Sequence, residues 1–456
     1  MMIHRSLFLV GVLWILLSCE MWATVLTCNG SQSDCQSKVN SAVDGDVVNL
    51  PSGTFTWSSS VSWSNKNITV QGQGVGDTIL NASSGAFVVT DLTKASFRLT
   101  GLTVNAGSSN AIIIENQDST TSSYGWRVDH FAINGNGGIG IWVEGPNNWG
   151  LVDHGTFNGN MNGVQLYAYS NCDTSPCGGN TPTANGWGGI SWGTPLHIGS
   201  NEAVYVEDST FTGGPCASQS LGVNDMEYGA RMVFRHNTVT CEYIQSHSAR
   251  AFNRGGAMWM EIYNNTWIGN GFVWPGTIRS GTGVMFNNTI SGYSSNNIEV
   301  DDQRITEAVN SAEYYVCDGP HSWDGNITPA SSGTANGAGW PCMDQIGRGQ
   351  GALGSEPSLP YLLWNNGTAS TCATGGTCNN ATTISLNNSG SVNPAPYITA
   401  TAHTNGDRDY CIGATMPTTC GNYTNTYKPY TYPHPLQGSA GGAAPNPPGG
   451  LKATVQ

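Results

Sequence analysis

The chain has 456 residues and is rich in glycine, with 60 Gly, but only 10% of its residues are charged and its formal net charge is −14. The acidic balance argues against nucleic acid as a partner, because phosphate binding needs a basic surface. A disordered acidic chain is also excluded, since 15 Trp and 17 Tyr are present. A polyanionic substrate would therefore need local arginines or a bridging cation. The length suits one long solenoid or two to three ordinary domains.

The first element is an export signal over residues 1–23. His4 and Arg5 provide the positive start, and an apolar run follows from Leu7 to Leu17. This run is too short to span a bilayer, so no membrane span is expected. Cleavage after Ala23 predicts a secreted, extracellular or periplasmic protein. Lipoprotein processing at Cys19 is the alternative.

The cysteines predict disulfide bonds. Removal of Cys19 leaves an even number, and an even number behind an export signal indicates an oxidising compartment. The C-x-x-C spacing of zinc sites is absent, which argues against a metal role for these residues. The simplest pairing joins neighbours in sequence: Cys28 with Cys35, Cys172 with Cys177, Cys216 with Cys241, Cys317 with Cys342, Cys372 with Cys378, and Cys411 with Cys420.

A repeated segment organises the middle of the chain. Each copy reads apolar, three polar residues, Thr, apolar, and the equivalent marker residues are Asp208, His236, Asn264 and Asn287, at steps of 28, 28 and 23 residues. Looser copies begin at Asp129 and Asp153, 24 residues apart. A short β-type segment at such a period indicates stacked coils, in which each repeat buries its apolar face against its neighbours.

The repeat unit is β rather than α. The segments are rich in Val, Ile, Phe, Thr and Trp, and residues 138–143 alternate in the two-residue period of a strand. No helical stripe is evident, and the leucine consensus of leucine-rich repeats is missing. The sequence therefore predicts an all-β fold, a single-stranded right-handed parallel β-helix, with repeated Asn such as Asn264 and Asn287 stacked in a ladder. A monomer is expected.

The opening of the mature chain supports this fold through a family resemblance. Residues 42–57 (AVDGDVVNLPSGTFTW) and 67–74 (NITVQGQG) resemble the first coils of the pectin-lyase-like, right-handed parallel β-helix superfamily. The resemblance covers roughly residues 38–310, and we assign 24–310 to the β-helix. It implies the fold more than the activity, because this fold hosts lyases, hydrolases, esterases and non-catalytic adhesins.

An irregular excursion and a C-terminal part complete the chain. The excursion, residues 171–195, carries Trp187 and Trp192 beside several glycines; these rings either form a sugar-binding wall or cover the solenoid side. Residues 311–437 resemble an uncharacterised group of secreted bacterial β-helix proteins and are expected to continue and cap the solenoid. Residues 438–456 are a Gly/Pro linker and a strand like the start of a fibronectin type III domain.

A candidate site emerges when the approach to each repeated strand is aligned. Asp225, Arg254 and Arg279 lie 11, 10 and 8 residues before their markers, and His247 lies on the adjoining turn. If the register holds, a carboxylate and two guanidinium groups share one side of the solenoid. A structural ion-pair ladder is the alternative interpretation.

Two reactions suit this group, and a polysaccharide is the partner in both. In β-elimination, Arg254 and Arg279 would neutralise a uronate carboxylate, His247 or Tyr228 would act as base, and Asp225 with Glu227 could hold Ca²⁺. In glycoside hydrolysis two carboxylates act together: Asp225 with Glu227, or, as a second choice, Asp301 with Asp302 near Arg304.

The named enzyme families of the superfamily are not matched in detail. The Gly-His-Gly segment of polygalacturonases and the motif around the catalytic arginine of pectate lyases are both missing from the sequence. The sequence therefore favours a polysaccharide lyase, then a glycoside hydrolase. A non-catalytic glycan-binding surface protein or adhesin is the alternative from another class.

Overall fold

The computed structural model describes residues 23–90, 96–116, 123–169, 191, 194–214, 216, 221–247, 256–272, 274–294, 298–301, 347, 359–368, 384–387 and 410–438. One helix, α1 (Gln32–Ser41), lies near the start, and a 3-10 turn spans Pro435–Gly438. The first strands are β1 (Val25–Thr27), β2 (Val47–Asn49), β3 (Gly53–Trp57), β4 (Val61–Ser64), β5 (Thr69–Gln71), β6 (Thr78–Ala82), β7 (Phe87–Thr90), β8 (Arg98–Gly107), β9 (Ile112–Glu115), β10 (Ser123–Gly135), β11 (Ile139–Glu144), β12 (Asn148–Asp153), β13 (Thr156–Asn158) and β14 (Asn162–Tyr167).

The later strands are β15 (Val204–Glu207), β16 (Thr210–Thr212), β17 (Asn224–Glu227), β18 (Arg231–Arg235), β19 (Thr238–Thr240), β20 (Ile244–Ser246), β21 (Trp259–Tyr263), β22 (Thr266–Ile268), β23 (Gly276–Ile278), β24 (Thr282–Phe286), β25 (Thr289–Ser291), β26 (Ile298–Asp301), β27 (Tyr361–Trp364), β28 (Gly367–Thr368), β29 (Ile384–Asn387), β30 (Tyr410–Gly413), β31 (Thr419–Cys420) and β32 (Tyr423–Thr424).

These strands stack in three parallel columns. The first face runs from β1 and β2 through β18 and β21 to β30, and the second face runs from β3 to β28; the long strands β8 and β10 bend through both. The third face comprises β4, β7, β9, β11, β14 and β17, followed by β20, β23, β26 and β29. The described strands that stack from coil to coil pair in parallel, which confirms the parallel β-helix that the repeats and the family resemblance implied.

The repeat alignment matches the strand register. Glu207 pairs with Arg235, and Arg235 pairs with Tyr263, so the marker residues that follow them stack in successive coils. Each marker has a left-handed backbone, with φ of 52° at Asp208, 58° at His236 and 58° at Asn264. Asn and Asp tolerate this conformation better than most residues, which explains why the marker is so often polar. The marker is thus the bend between the first and second faces.

The buried asparagine ladder lies one residue beyond the marker. The main-chain N–H of Asn237 donates to Oδ1 of Asn265 at 2.9 Å, and that of Asn265 donates to Oδ1 of Asn288 at 3.1 Å. Nδ2 of Asn265 donates to the Phe234 carbonyl at 3.0 Å. The predicted residues Asn264 and Asn287 contribute surface bonds instead, such as the 3.2 Å contact of Asn264 with His236. The inner ladder therefore satisfies main-chain groups at the bends that carry Asn237, Asn265 and Asn288.

Three of the predicted disulfides lie in the described part of the chain. Cys28 is bonded to Cys35, Cys216 to Cys241 and Cys411 to Cys420, as sequence proximity predicted. The other predicted pairs lie outside the described residues. The helix α1, which the hydrophobic pattern did not indicate, is held at the first coil by the first of these disulfides. The carbonyls at the C-terminal end of this helix, such as that of Val39 at 2.9 Å, accept hydrogen bonds from Nζ of Lys66.

The end of the described chain runs back along the first face. We call residues 423–438 the strap. The Tyr427 hydroxyl donates to Glu261 at 2.6 Å, and the main-chain N–H of His434 donates to Glu207 at 2.8 Å. Nη1 of Arg127 donates to the Leu436 carbonyl at 3.2 Å. Successive strap residues therefore meet progressively earlier coils.

Candidate functional site

The candidate site lies on the third face at strand β17. Met226 points into the hydrophobic core, so its neighbours Asp225 and Glu227 lie on the outer side of the same strand. Asn224 fixes this strand to the next coil, because its side chain donates to the Gln245 carbonyl at 2.9 Å and accepts from the Gln245 N–H at 2.8 Å. The two carboxylates are thereby held beside the residues that follow β20.

Asp225, Glu227 and His247 form a compact buried cluster. One potential ligand atom from each lies within 4.8 Å of the others. Nδ1 of His247 is 3.8 Å from Oε1 of Glu227. The residues are only 4%, 0% and 3% exposed, respectively. Two carboxylates at this spacing repel each other, so a cation or a protonated imidazole among them would be stabilising.

Main-chain hydrogen bonds hold His247 in place. Its carbonyl accepts from the N–H of Ala257 at 3.0 Å and from the hydroxyl of Ser280 at 2.8 Å. Gly256, the residue before Ala257, forms an antiparallel bridge with Glu227. The chain therefore returns beside the cluster just after residues 248–255.

Arg279 occupies the coil after His247. Ser246 pairs with Ile278, which places the next residues, His247 and Arg279, side by side. The N–H of Arg279 donates to the hydroxyl of Ser246 at 2.9 Å, and the residue is 7% exposed. A guanidinium group thus follows the two carboxylates along the solenoid axis.

Tyrosines line the side of the cluster that faces earlier coils. The Tyr167 hydroxyl lies 3.4 Å from Oδ2 of Asp225. Tyr228, with a left-handed φ of 61°, has its ring 5.5 Å from Tyr167 and 5.2 Å from Tyr169. The Tyr169 hydroxyl donates to Glu144 at 3.0 Å, and burial, together with that carboxylate, raises the pKa of Tyr169. All three tyrosine rings remain half-buried.

The structure brings together part of the set predicted from sequence. Asp225, Glu227 and His247 converge, and Tyr228 and Arg279 adjoin them. Val300 of β26 pairs with Ile278 of β23, and Asp301 and Arg279 are the residues that follow them. The backbone of Asp301 therefore occupies, one coil later, the same register position as Arg279. Arg254, Trp187, Trp192, Asp302 and Arg304 lie outside the described residues.

Sequence reasoning missed Tyr167, Tyr169 and Glu144. One signal was present in the sequence. The alternation of residues 138–143 indicates which side chains of β11 point outward, and its continuation by one residue places the Glu144 side chain on the outer side. The tyrosines belong to the next coil. The irregular excursion that begins after Tyr169 hides their relation to Asp225, which is 58 residues from Tyr167.

Comparisons with known proteins give structural likenesses at low identity. No protein-family model and no curated protein matches the chain. An alginate lyase from Paenibacillus sp. str. FPU-7 is similar at 19% identity, covering 58% of this chain and 94% of that chain, with a TM-score of 0.32. A PL6 family polysaccharide lyase from Pseudopedobacter saltans has 11% identity, covering 90% and 97%, with a TM-score of 0.31.

A further likeness is to the catalytic domain of a GH87 alpha-1,3-glucanase, at 13% identity, covering 61% of this chain and 60% of that chain, with a TM-score of 0.29. Within the described residues, no helix has the length and apolar character needed to cross a bilayer.

Proposed function

We propose that the protein is an exported enzyme that cleaves an acidic polysaccharide by β-elimination at the third face. The observation that supports this most is the convergence of Asp225, Glu227 and His247, with Arg279 in the next coil. Among the described residues, this is the one place where ligand atoms of three His, Cys, Asp or Glu side chains lie within 4.8 Å of one another. The disulfides support an oxidising compartment.

Each residue has a part in the proposed elimination. The reaction removes the proton beside a uronate carboxylate, and positive charge stabilises the anion that forms. The glycosidic bond at the neighbouring carbon then breaks, a carbon–carbon double bond forms, and the departing oxygen takes up a proton from the protonated base or from water. Arg279 would contact that carboxylate. Glu227 lies against Nδ1 of His247, an arrangement by which a carboxylate orients an imidazole for proton transfer. Tyr228 is the more exposed of the two candidate bases.

The carboxylates also suit a bound cation. Ca²⁺ prefers oxygen ligands, and Asp225 and Glu227 supply carboxylate oxygens from one strand. An imidazole would add the nitrogen that transition metals accept more readily. We propose that Asp225 and Glu227 hold Ca²⁺. When bound, the ion would supply positive charge near the uronate carboxylate. Arg279 provides the complementary charge from the protein.

The test is to expose the mature protein to a panel of uronate polysaccharides and follow the ultraviolet absorbance of the unsaturated product. Rising absorbance that is lost in Arg279→Ala would support elimination. His247→Ala and Tyr228→Phe separate the two bases, because only the variant lacking the base should lose the chemical step. Arg279→Lys is the matched control, since it keeps the charge without the planar fork of the guanidinium group.

Glycoside hydrolysis is the second candidate, favoured by the short separation of the acid pair. One carboxylate oxygen of Asp225 lies no more than 4.8 Å from one of Glu227, which is shorter than the roughly 6.5–9.5 Å between carboxyl groups in inverting glycosidases. New reducing ends without unsaturated product, lost in Asp225→Asn, would identify this reaction. Retention on one glycan without any cleavage would instead identify a binding protein.

A further inference from the structure

A line of outward side chains leads along the third face to the candidate site. Strand register fixes it coil by coil, with one residue on each of five successive strands. The line comprises Val88, Ile113, Trp142, Gln165 and Asp225. Its first three members are apolar and half-buried, although they occupy outward positions of their strands. An apolar strip therefore approaches Asp225 parallel to the solenoid axis.

A polar line runs beside the apolar one. Glu115 pairs with Glu144, Glu144 with Tyr167, and Tyr167 with Glu227. These residues lie two positions further along the same strands, so they share the outward side. Glu144 and Glu227 are buried, whereas Glu115 and Tyr167 are half-buried. The surface consequently offers apolar contact on one edge and the polar groups of Glu115 and Tyr167 on the other. A pyranose ring presents the same two kinds of surface, an apolar face and a rim of hydroxyls.

Trp142 is the largest ring on the apolar line. It lies two coils from Asp225, which is roughly 10 Å at the strand spacing of a sheet. Its ring meets Tyr167 edge-on, with centroids 6.0 Å apart and planes at 86°. Its indole N–H has no acceptor within the described part of the chain. That nitrogen is buried, but Trp142 as a whole is half-buried, so part of its side chain remains accessible.

We propose that these two lines form a saccharide-binding track, on which a polysaccharide lies parallel to the solenoid axis with one sugar ring stacked on Trp142. The track deepens the proposed function and rests on it for the position of the reacting unit at Asp225. Glu115 disfavours a sugar carboxylate on its edge, so hydroxyls face it. The uronate carboxylate that reacts lies toward Arg279.

The track makes binding depend on chain length. A pyranose unit spans about the spacing of one coil, so a short oligosaccharide held at Asp225 and Arg279 does not reach Trp142. A longer one does, and gains the stacking contact. Loss of the ring should weaken only the longer ligands, whereas general damage to the site would weaken both.

The experiment measures affinity by calorimetry, using size-graded oligosaccharides of polygalacturonate, alginate and cellulose. The His247→Ala/Tyr228→Phe background, which lacks both candidate bases and keeps Arg279, prevents turnover. We expect affinity to rise by about tenfold once the oligosaccharide spans two coils. Trp142→Ala should remove that rise. Trp142→Phe should retain most of it. Trp274→Ala, which removes a half-buried tryptophan away from the track, is the matched control, and thermal unfolding verifies the fold of each variant.

The outcomes separate the track from the proposed reaction. Trp142-dependent binding without cleavage by the wild-type protein would keep the track and overturn the lyase. Cleavage with affinity unchanged by Trp142→Ala would keep the enzyme and overturn the track. Equal weakening of short and long ligands, or binding of none of the three series, would also overturn the track.

Discussion

Arg235 and Glu207 form an ion pair that is closed off from solvent, with Nε to Oε2 at 2.6 Å and both side chains 0% exposed. They are register partners in adjacent coils of the first face. The other guanidinium nitrogens donate to the carbonyls of Tyr430 and Thr431 in the strap, each at 2.8 Å. The strap therefore completes the hydrogen bonding of a buried charge that the solenoid alone would leave hydrated.

Replacing Arg235 should release the strap. In Arg235→Met, Glu207 keeps its burial but loses the cation that compensates it, and breaking one side of a buried pair costs about 3–5 kcal/mol. We expect this loss in the free energy of unfolding measured with urea, and new protease cleavage within residues 423–438. The double variant Arg235→Met/Glu207→Leu should recover part of the loss. Unchanged protease resistance in the single variant would contradict the dependence of the strap on Arg235.

Acid should loosen the strap at His434. Burial, with Arg235 and Arg127 nearby, lowers the pKa of His434 from 6.5 to about 3. The unfolded state then binds more protons between these values, so this residue's contribution to stability is complete above about 6.5 and falls by about 1.4 kcal/mol per pH unit toward 3. The groups facing His434 are Arg235, Arg127, Glu207 and the rings of Tyr205 and Tyr430.

The measurement is amide hydrogen exchange of residues 423–438 between neutral and mildly acidic pH, corrected for intrinsic rates. His434→Phe removes the titration and should flatten the pH dependence of strap opening. Identical acid sensitivity in wild type and His434→Phe would assign the effect to another group.

The inner asparagine ladder predicts a contrast between adjacent residues. Asn265→Ala leaves buried main-chain and side-chain partners in two coils without hydrogen bonds, which costs about 1–3 kcal/mol for each unsatisfied group. Asn264→Gly occupies a left-handed bend that glycine adopts readily, so it should change stability by less than about 1 kcal/mol. Urea unfolding of the two variants tests this. Equal losses would show that the bend, and not the ladder, dominates.

The carboxylate cluster predicts stabilisation by a cation. A ligand that binds only the folded state raises stability by mass action, by about 2.7 kcal/mol at a concentration 100 times its dissociation constant. Adding Ca²⁺ should therefore raise the melting temperature, and chelation should reverse the change. Asp225→Asn should abolish the response, whereas Asp77→Asn, at an exposed carboxylate, should preserve it. The same Ca²⁺ response in Asp225→Asn would place the ion elsewhere.

The coils were predictable because their stacking repeats a local pattern. A polar residue at each left-handed bend and a Thr two residues later recur at coil length, and the three observed disulfides join cysteines close in sequence. Asp225 and Glu227 share one side of β17 by strand alternation. His247 lies 17 residues before the marker Asn264, whereas Asp225 lies 11 before His236, so the marker spacing alone does not bring His247 to the cluster. The sequence of helix α1 shows no apolar stripe of helical period, because only Cys35 and Val39 of its ten residues are buried.

The strap and the tyrosine side of the site were beyond sequence reasoning. Tyr427 meets Glu261 across 166 residues, and no local pattern relates them. Tyr167 and Asp225 occupy adjacent strands of the third face, but the chain between them includes the excursion over residues 171–195, which breaks the period. Register cannot be extended through a segment of arbitrary length. Contacts between residues that lie on opposite sides of such a segment in the sequence are therefore seen only in the structure.

The strap also sets an order for the assembly of the molecule. Coils contact their neighbours, so a solenoid can grow from one end as each coil is added. Arg127, however, gains the carbonyl of Gln437 across 310 residues of chain. Until that late segment arrives, Arg127 and Arg235 have their carboxylate partners in the solenoid but lack the strap carbonyls to which they donate in the folded protein. These residues are fully buried and hydrogen-bonded only after the strap has docked. Their burial therefore distinguishes a folded chain with a docked strap from a chain that ends before the strap.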